Sequence, residues 1–144
     1  MTLEEKLIDY AHTHNTVVYE HPLPLTRSVS AKLDDVSYIG IDTDKLEDAD
    51  RRAVHLAHEL GHCETDSFYC IYSPLVTRDK LERRANVWAI EHTIPIGRLN
   101  ALIKEGVREV WELAERFEVT VEFMHAALEY YRCGEVHFDI QNIK

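Results

Sequence analysis

The sequence predicts an α+β fold, in which a small antiparallel or mixed sheet packs on a central helix and a mostly helical C-terminal half follows. One helical pattern comes first, a few strand patterns come next, and helical patterns fill most of the remaining chain. The chain has 144 residues, of which 45% are hydrophobic, and it contains neither an internal repeat nor a low-complexity linker. We therefore expect a single domain over residues 1–144.

The first part of the chain predicts one helix and two strands. Apolar side chains recur at helical spacing over residues 2–13, which is typical of an amphipathic helix. The stretch TVVYEHPLPL begins with β-branched and aromatic residues, and Pro22 and Pro24 end the strand that it predicts. A second strand, VSYIGID at residues 36–42, follows a polar turn at residues 34–35.

The rest of the chain predicts mostly helices. Asp42-Thr43-Asp44 supplies capping side chains, and residues from about 45 to 64 have the pattern of a long helix. An irregular aromatic connection, SFYCIYSPLVT, leads to a helical pattern at 78–91 that Pro95 stops. Further helical stretches are predicted at 96–104, 107–117 and 120–132, and the tail EVHFDIQNIK predicts a final strand or an ordered arm.

The long helix contains a motif with the spacing of a metal site, His58-Glu59-Leu60-Gly61-His62. Helical residues four positions apart differ by about 40° in azimuth and about 6 Å in rise, so the imidazoles of His58 and His62 can reach one ion. Glu59 lies beside them, where its carboxylate can deprotonate a water that zinc activates. The alternative is a buried helix with satisfied histidines. Because the flanking residues are apolar on nearly all sides, burying these three polar groups without a partner would be costly, which favours a metal.

We expect structural roles for two residues beside the motif, His55 and Cys63. His55 shares a face with His58 and His62, but it lies about 10 Å along the axis from His62, too far to bind the same ion. We expect His55 to pack or to form a hydrogen bond one turn below the site. Cys63 points about 100° away from His62, which favours a buried thiol over a ligand or a redox switch.

A catalytic zinc site needs a third protein ligand and an open position. A ligand on the next antiparallel helix requires a loop that turns back, which favours Glu82 over the residues nearest the motif. Asn86 lies one turn after Glu82, where its amide oxygen could accept the second ring N–H of a ligand histidine. The alternative for Glu82 is a solvated charge that pairs with an arginine. The candidates compared were Glu64, Asp66, Asp79, Glu82, Glu91 and His92.

This arrangement of His58, Glu59, His62, Glu82 and Asn86 resembles the ImmA/IrrE family of metallo-endopeptidases, and more widely the gluzincins. The similarity is strongest over residues 36–95. It implies a zincin-like domain that binds Zn²⁺ through the two histidines and Glu82, with Glu59 as the general base and Asn86 behind a ligand. It also implies a protein substrate, namely a helix-turn-helix transcriptional repressor in a bacterial, phage or mobile-element circuit.

The C-terminal helices, at about 107–132, have a helix-turn-helix-like pattern within the same domain. Between residues 107 and 135 there are seven Glu and only three Arg, and the net charge of the whole chain is −10. An acidic surface repels a phosphate backbone, so we expect no direct binding of nucleic acid. Packing, or contact with a partner protein, is the role that this composition favours.

Composition also predicts where the protein is found. The three cysteines are odd in number and show no CxxC spacing, so no disulfide framework or zinc ribbon is indicated. No apolar run approaches the roughly 18 residues of a membrane span, and the N-terminus has no secretory pattern. We therefore expect a cytoplasmic protein that does not contact a membrane.

Two features of the reaction site stay open at this stage. Tyr69, Tyr72 and His92 are each possible donors to the oxyanion of a tetrahedral intermediate, although packing is the simpler role for each. The strand at 36–42 could be an exposed edge that accepts a peptide substrate as a further strand, or an internal strand.

Two functions fit the motif. The first is a zinc-dependent endopeptidase, and the second is a regulatory binding module that metal stabilises and that antagonises a partner without cleaving it. Glu59 discriminates between them, because a purely structural metal site needs no base beside its ligands. The sequence therefore favours hydrolysis.

Overall fold

The computed structural model describes residues 1–133, and it confirms the α+β prediction. A sheet of three strands is followed by helices that make up the C-terminal half. In chain order the elements are α1 (Leu3–Thr13), β1 (Thr16–Glu20), β2 (Ser28–Leu33), β3 (Val36–Ile41), α2 (Ala49–Glu64), α3 (Leu75–Thr93), α4 (Ile96–Lys104), α5 (Val110–Phe117) and α6 (Val121–Cys133). The predicted strand or arm in the tail lies outside the described residues.

The sheet is mixed and has the strand order β1-β3-β2. Strand β3 lies in the centre, parallel to β1 and antiparallel to β2. The predicted strand at 36–42 is therefore internal, and the alternative that it forms an exposed edge is wrong. Strand β2 was not predicted. It pairs with β3 through a two-residue turn in which Asp34 has a φ of 55°, a left-handed conformation that aspartate tolerates better than most residues.

The helix that follows the sheet begins later than predicted, at Ala49 instead of about residue 45. The side chain of Asp42 accepts hydrogen bonds from the backbone N–H groups of Leu23, Asp44 and Lys45. These bonds stabilise a turn at the end of β3 and join it to the β1–β2 connection, so the segment before Ala49 does not enter the helix. This is a case in which local hydrogen bonds of an aspartate compete with helix formation.

The two longest helices, α2 and α3, pack closely against each other. Gly61 allows this approach, because a Cβ atom added at Gly61 would lie 2.3 Å from the carbonyl oxygen of Ala85. Helix α3 begins three residues earlier than predicted, directly after Pro74, and ends at Thr93. The pair brings the last turns of α2 beside the middle of α3.

The C-terminal helices follow the prediction with small shifts at their starts. Pro95 separates α3 from α4, and α5 begins at Val110 instead of residue 107. Glu118 ends α5 in the left-handed region, with a φ of 58°, and Thr120 caps α6 by accepting a hydrogen bond from the N–H of Phe123. One cluster of buried side chains extends from Leu7 of α1 to Tyr131 of α6.

A membrane span would need a helix that is both long and strongly apolar. Over residues 1–133 no helix meets both conditions.

Candidate metal centre

Three side chains converge between α2 and α3. The Nε2 atoms of His58 and His62, one turn apart on α2, lie 3.1 Å from each other. Glu82, in the second turn of α3, places Oε2 2.9 Å from Nε2 of His58 and Oε1 3.1 Å from Nε2 of His62. The i,i+4 spacing therefore brings the two imidazoles together, and the close packing of the helices brings the carboxylate to them.

The outer ring nitrogens show which atoms of the two imidazoles carry hydrogen. Nδ1 of His58 lies 2.7 Å from Oδ1 of Asn86, and Nδ1 of His62 lies 2.7 Å from the backbone carbonyl of Ser67. Both partners can only accept, so each Nδ1 donates and each Nε2 faces the Glu82 carboxylate. The inner nitrogens of the two rings and the Glu82 carboxylate thus face one another at the distances of direct contacts.

Such a convergence of two imidazole nitrogens and a carboxylate fits a cation. His58, His62 and Glu82 each offer one ligand atom, and these three atoms lie within 4.8 Å of one another. Two imidazoles and one carboxylate form the ligand set of a catalytic zinc site that keeps an open position. Burial alone would raise the pKa of Glu82, but the hydrogen bond from Tyr69 and the two histidines outweigh it and lower that pKa. Glu82 is therefore ionised and ready to bind a metal ion.

Glu59 lies next to His58 in the sequence but has different partners. Its side chain is buried, with 7% of the residue exposed, and Oε1 accepts a hydrogen bond of 2.9 Å from the hydroxyl of Ser28. The same hydroxyl lies 3.0 Å from Nδ1 of His55. Burial lowers the pKa of His55, which keeps this imidazole neutral near neutral pH. The expectation that His55 forms a hydrogen bond below the site is confirmed.

An open cleft of about 530 Å³ is lined by the three candidate ligands and by Glu59, Ser28 and His55. Strand β2 forms one wall, α2 forms the floor, and the segment that connects α2 to α3 forms the opposite wall. The apolar residues Val29, Phe68 and Ile71 also line the cleft. The cleft is therefore shaped as a channel between an edge strand and a loop, with the polar residues at its base.

Of the three possible oxyanion donors, the structure brings Tyr69 to the cleft. Its hydroxyl donates a hydrogen bond of 2.6 Å to Oε1 of Glu82, and this bond raises the pKa of Tyr69 to about 12. Tyr72 is 88% exposed and does not line the cleft. His92 stacks on Trp88 at the far end of α3, and its Nδ1 donates to the carbonyl of Trp88.

Three of the other carboxylates that are candidates for the third ligand have partners elsewhere. Glu64 accepts a hydrogen bond from Tyr10, and Glu91 accepts one from Tyr130. Asp66 lies in the turn after α2 with its carboxylate 3.8 Å from Nζ of Lys32. Among the described residues, His58, His62 and Glu82 are the group whose ligand atoms meet.

Two residues of the site were missed by the sequence reasoning. Ser67 supplies a carbonyl from an irregular turn, and no sequence signal identifies such a group. Ser28 lies on β2, whose alternation of polar and apolar residues in SVSAKL, directly before the polar turn, is a signal for the first strand of a hairpin. That signal would have placed Ser28 and Ser30 on one face of an edge strand.

Comparison with known proteins identifies one family. The sequence model of the peptidase M78 family, described as the IrrE N-terminal-like domain, matches residues 11–129. This match covers most of the chain and confirms the resemblance carried by the motif and by Glu82. Searches of curated proteins and of solved structures gave no significant match.

Proposed function

The chain belongs to the IrrE N-terminal-like family of peptidases, and from that premise we propose that it is a zinc-dependent endopeptidase. Its proposed substrate is a helix-turn-helix transcriptional repressor in a bacterial, phage or mobile-element circuit, whose cleavage relieves repression. The observation that carries the enzymatic part is the convergence of two imidazole nitrogens and a carboxylate beside a buried glutamate. The repressor follows from the family resemblance.

In this proposal His58, His62 and Glu82 hold the ion. When bound, zinc would supply a Lewis acid that lowers the pKa of a water to about 7 and polarises the carbonyl of the scissile peptide. Asn86 and the carbonyl of Ser67 fix the two imidazole rings, because each accepts the ring N–H that faces away from the ligand position.

Glu59 is the proposed general base. It accepts a proton from the attacking water and then delivers that proton to the nitrogen of the leaving amine. Its Oε1 is held by Ser28, whereas Oε2 accepts no hydrogen bond from any residue between 1 and 133. One carboxylate oxygen thus stays free for proton transfer, and the burial of Glu59 favours a strong interaction with the reacting water.

Strand β2 offers a binding edge for an extended peptide. The backbone N–H of Asp42 donates to the carbonyl of Arg27. Because hydrogen-bonded pairs alternate along antiparallel strands, the peptide groups of Ser30 and Lys32 point away from β3. A substrate can add there as a further strand and pass over the base of the cleft, within reach of the Tyr69 hydroxyl as an oxyanion donor.

The test is to express the protein together with candidate helix-turn-helix repressors from its own genome and to search for fragments by mass spectrometry. Wild type, Glu59→Gln and Glu64→Gln are compared, since Glu64 lies on the same helix but bonds to Tyr10 outside the cleft. We expect bound metal in all three proteins and cleavage in wild type and Glu64→Gln only.

Each other outcome has a distinct meaning. Cleavage by Glu59→Gln would refute the assignment of the base. Metal-free wild-type protein would refute the metal site. Metal binding and a stable complex with an uncleaved repressor would favour the second function, a metal-stabilised binding module that antagonises its partner.

A further inference from the structure

We propose that Ser28 and His55 are positioning residues that hold the carboxylate of Glu59 in one orientation through a directed chain of hydrogen bonds. The chain runs from the His55 ring through the Ser28 hydroxyl to Glu59. The inference rests on the proposed function for the role of Glu59, but the hydrogen-bond chain itself can be tested in protein that holds no metal.

The contacts place the three groups in sequence. Nδ1 of His55 lies 3.0 Å from Oγ of Ser28, and that oxygen lies 2.9 Å from Oε1 of Glu59. Ser28 and Glu59 are buried to a similar extent, with 8% and 7% of each residue exposed. Both distances are within the range of good hydrogen bonds, and the groups come from two elements, β2 and α2.

The inventory of donors and acceptors fixes the direction of the chain. The hydroxyl of Ser28 donates to Oε1 of Glu59, so its single hydrogen points to that carboxylate oxygen. The contact with His55 must then be donated by the ring, which places the hydrogen of His55 on Nδ1. Because burial lowers the pKa of His55, the ring is neutral and Nε2 carries the lone pair.

This direction has a consequence for Glu59. A buried carboxylate that lacked a donor would be costly to desolvate and free to rotate about its last torsion. The Ser28 hydroxyl satisfies Oε1 and fixes the plane of the carboxylate, so Oε2 is the oxygen left for proton transfer. Donation from His55 makes the Ser28 hydroxyl a stronger donor, because linked hydrogen bonds polarise one another.

Ser28 also links the base to the strand that is proposed to bind substrate. Its side chain contacts Glu59, while Ser30, on the same face of β2, lines the cleft two residues later. A peptide that adds to the edge of β2 would therefore immobilise the residue that orients the base. A merely structural Ser28 would tie β2 to α2 without fixing which nitrogen of His55 carries the hydrogen.

The first experiment reads the tautomer of His55 by ¹⁵N nuclear magnetic resonance in metal-free protein. We expect hydrogen on Nδ1 in wild type and a shift of the population toward the Nε2 tautomer in Ser28→Ala. Ser37→Ala is the matched control, because Ser37 is also 8% exposed and lies in the same sheet, on β3. It should keep the wild-type tautomer. Hydrogen on Nε2 in wild type would overturn the proposal.

The second experiment tests the hydrogen-bond chain at its first donor, the ring of His55. In His55→Asn the side-chain amide can still donate to Ser28 from nearly the position of Nδ1, whereas His55→Leu removes the donor. We expect His55→Leu and Ser28→Ala to lower kcat for the cleaved repressor about tenfold with KM nearly unchanged, and His55→Asn to recover most of the loss. Zinc affinity, measured by titration, should stay within about twofold of wild type in all three variants.

The results separate this proposal from the proposed function. If wild type cleaves nothing, the function is refuted, and the tautomer measurement still decides the hydrogen-bond chain. If cleavage occurs and His55→Leu matches His55→Asn, the positioning role is refuted while the function stands. Equal losses of zinc affinity and kcat in Ser28→Ala would show a general distortion of the site and would likewise overturn the positioning role.

Discussion

Gly61 of α2 lies directly against the main chain of Ala85 in α3. A Cβ atom at Gly61 would be 2.3 Å from the Ala85 carbonyl oxygen and 3.0 Å from its Cα atom, both far inside van der Waals contact. Ala85 lies three residues after Glu82 and on the same side of α3. The absence of a side chain at Gly61 therefore sets the distance at which Glu82 meets the two histidines.

We predict that Gly61→Ala weakens zinc binding at least tenfold and lowers the free energy of unfolding by about 2 kcal/mol, because the helices must separate to admit the methyl group. Zinc titration and urea denaturation measure the two effects. Gly97→Ala is the control, since a Cβ atom at Gly97 meets no atom within 4 Å. It should leave zinc binding unchanged and stabilise the protein by up to about 0.5 kcal/mol. Equal effects of the two variants would contradict the packing argument.

Asn86 fixes the orientation of the His58 ring by accepting its Nδ1 hydrogen at 2.7 Å. Replacement by leucine, which has a similar shape but no acceptor, should lower zinc affinity about tenfold, the lower end of such effects because Asn86 is exposed. Asn86→Asp keeps an acceptor oxygen and should stay close to wild type. Titration with a competing chelator distinguishes the two. Unchanged affinity in Asn86→Leu would show that the ring is held by other contacts.

The convergence of His58, His62 and Glu82 could be predicted from the sequence, because its geometry depends mostly on local spacing along two helices. The i,i+4 spacing on one helix fixes the separation of His58 and His62, whatever the rest of the fold does. Glu82 and Asn86 share one helix face, so one packing contact brings both to the histidines. The helical pattern, the loop length and the family resemblance were enough to select that contact.

The hydrogen bond of Glu59 could not be predicted from the sequence, because its donor lies on β2, a strand that was not predicted. Strand β2 contains small and charged residues whose intrinsic preference for a strand is weak, and its pairing with β3 stabilises it. The contact between Ser28 and Glu59 requires that strand and also its register. For the same reason the sequence could place His55 below the site and could not identify its partner.

The sequence predicted that Asp42 caps a helix. In the structure its carboxylate instead joins the end of β3 to the β1–β2 connection. Its carboxylate accepts a hydrogen bond of 2.9 Å from the N–H of Leu23, which is the main reason that its pKa lies below the ordinary value of 3.8. Further bonds come from Asp44 and Lys45. A lowered pKa means that the ionised carboxylate stabilises the folded state at pH values above 3.8, and that this contribution is lost as the pH falls further.

We predict that Asp42→Asn lowers the urea midpoint at about pH 7, and that its difference from wild type narrows as the pH falls below 3.8. Denaturation curves between about pH 7 and pH 3 measure this. Asp44→Asn makes the same change at an exposed position and should track wild type at each pH. A difference that stays constant down to pH 3 would show that the charge of Asp42 is not the source.

Cys63 and Cys70 should differ strongly in reactivity although both lie near the candidate metal centre. Burial raises the pKa of Cys63 to about 11, so only about one thiol in a thousand is ionised at pH 8. Cys70 is exposed, and a hydrogen bond with the Ser73 hydroxyl lowers its pKa.

Iodoacetamide at about pH 8 should therefore alkylate Cys70 rapidly and Cys63 only after unfolding, which peptide mapping by mass spectrometry resolves. The Cys70→Ser variant should lose the fast modification at that peptide, and denatured protein should react equally at Cys63 and Cys70. Because Cys63 stays unmodified in native protein and Cys70 is not one of the three candidate ligands, alkylation of native protein should leave zinc binding unchanged. Rapid alkylation of Cys63 with loss of zinc would instead make it a thiol that controls the metal site.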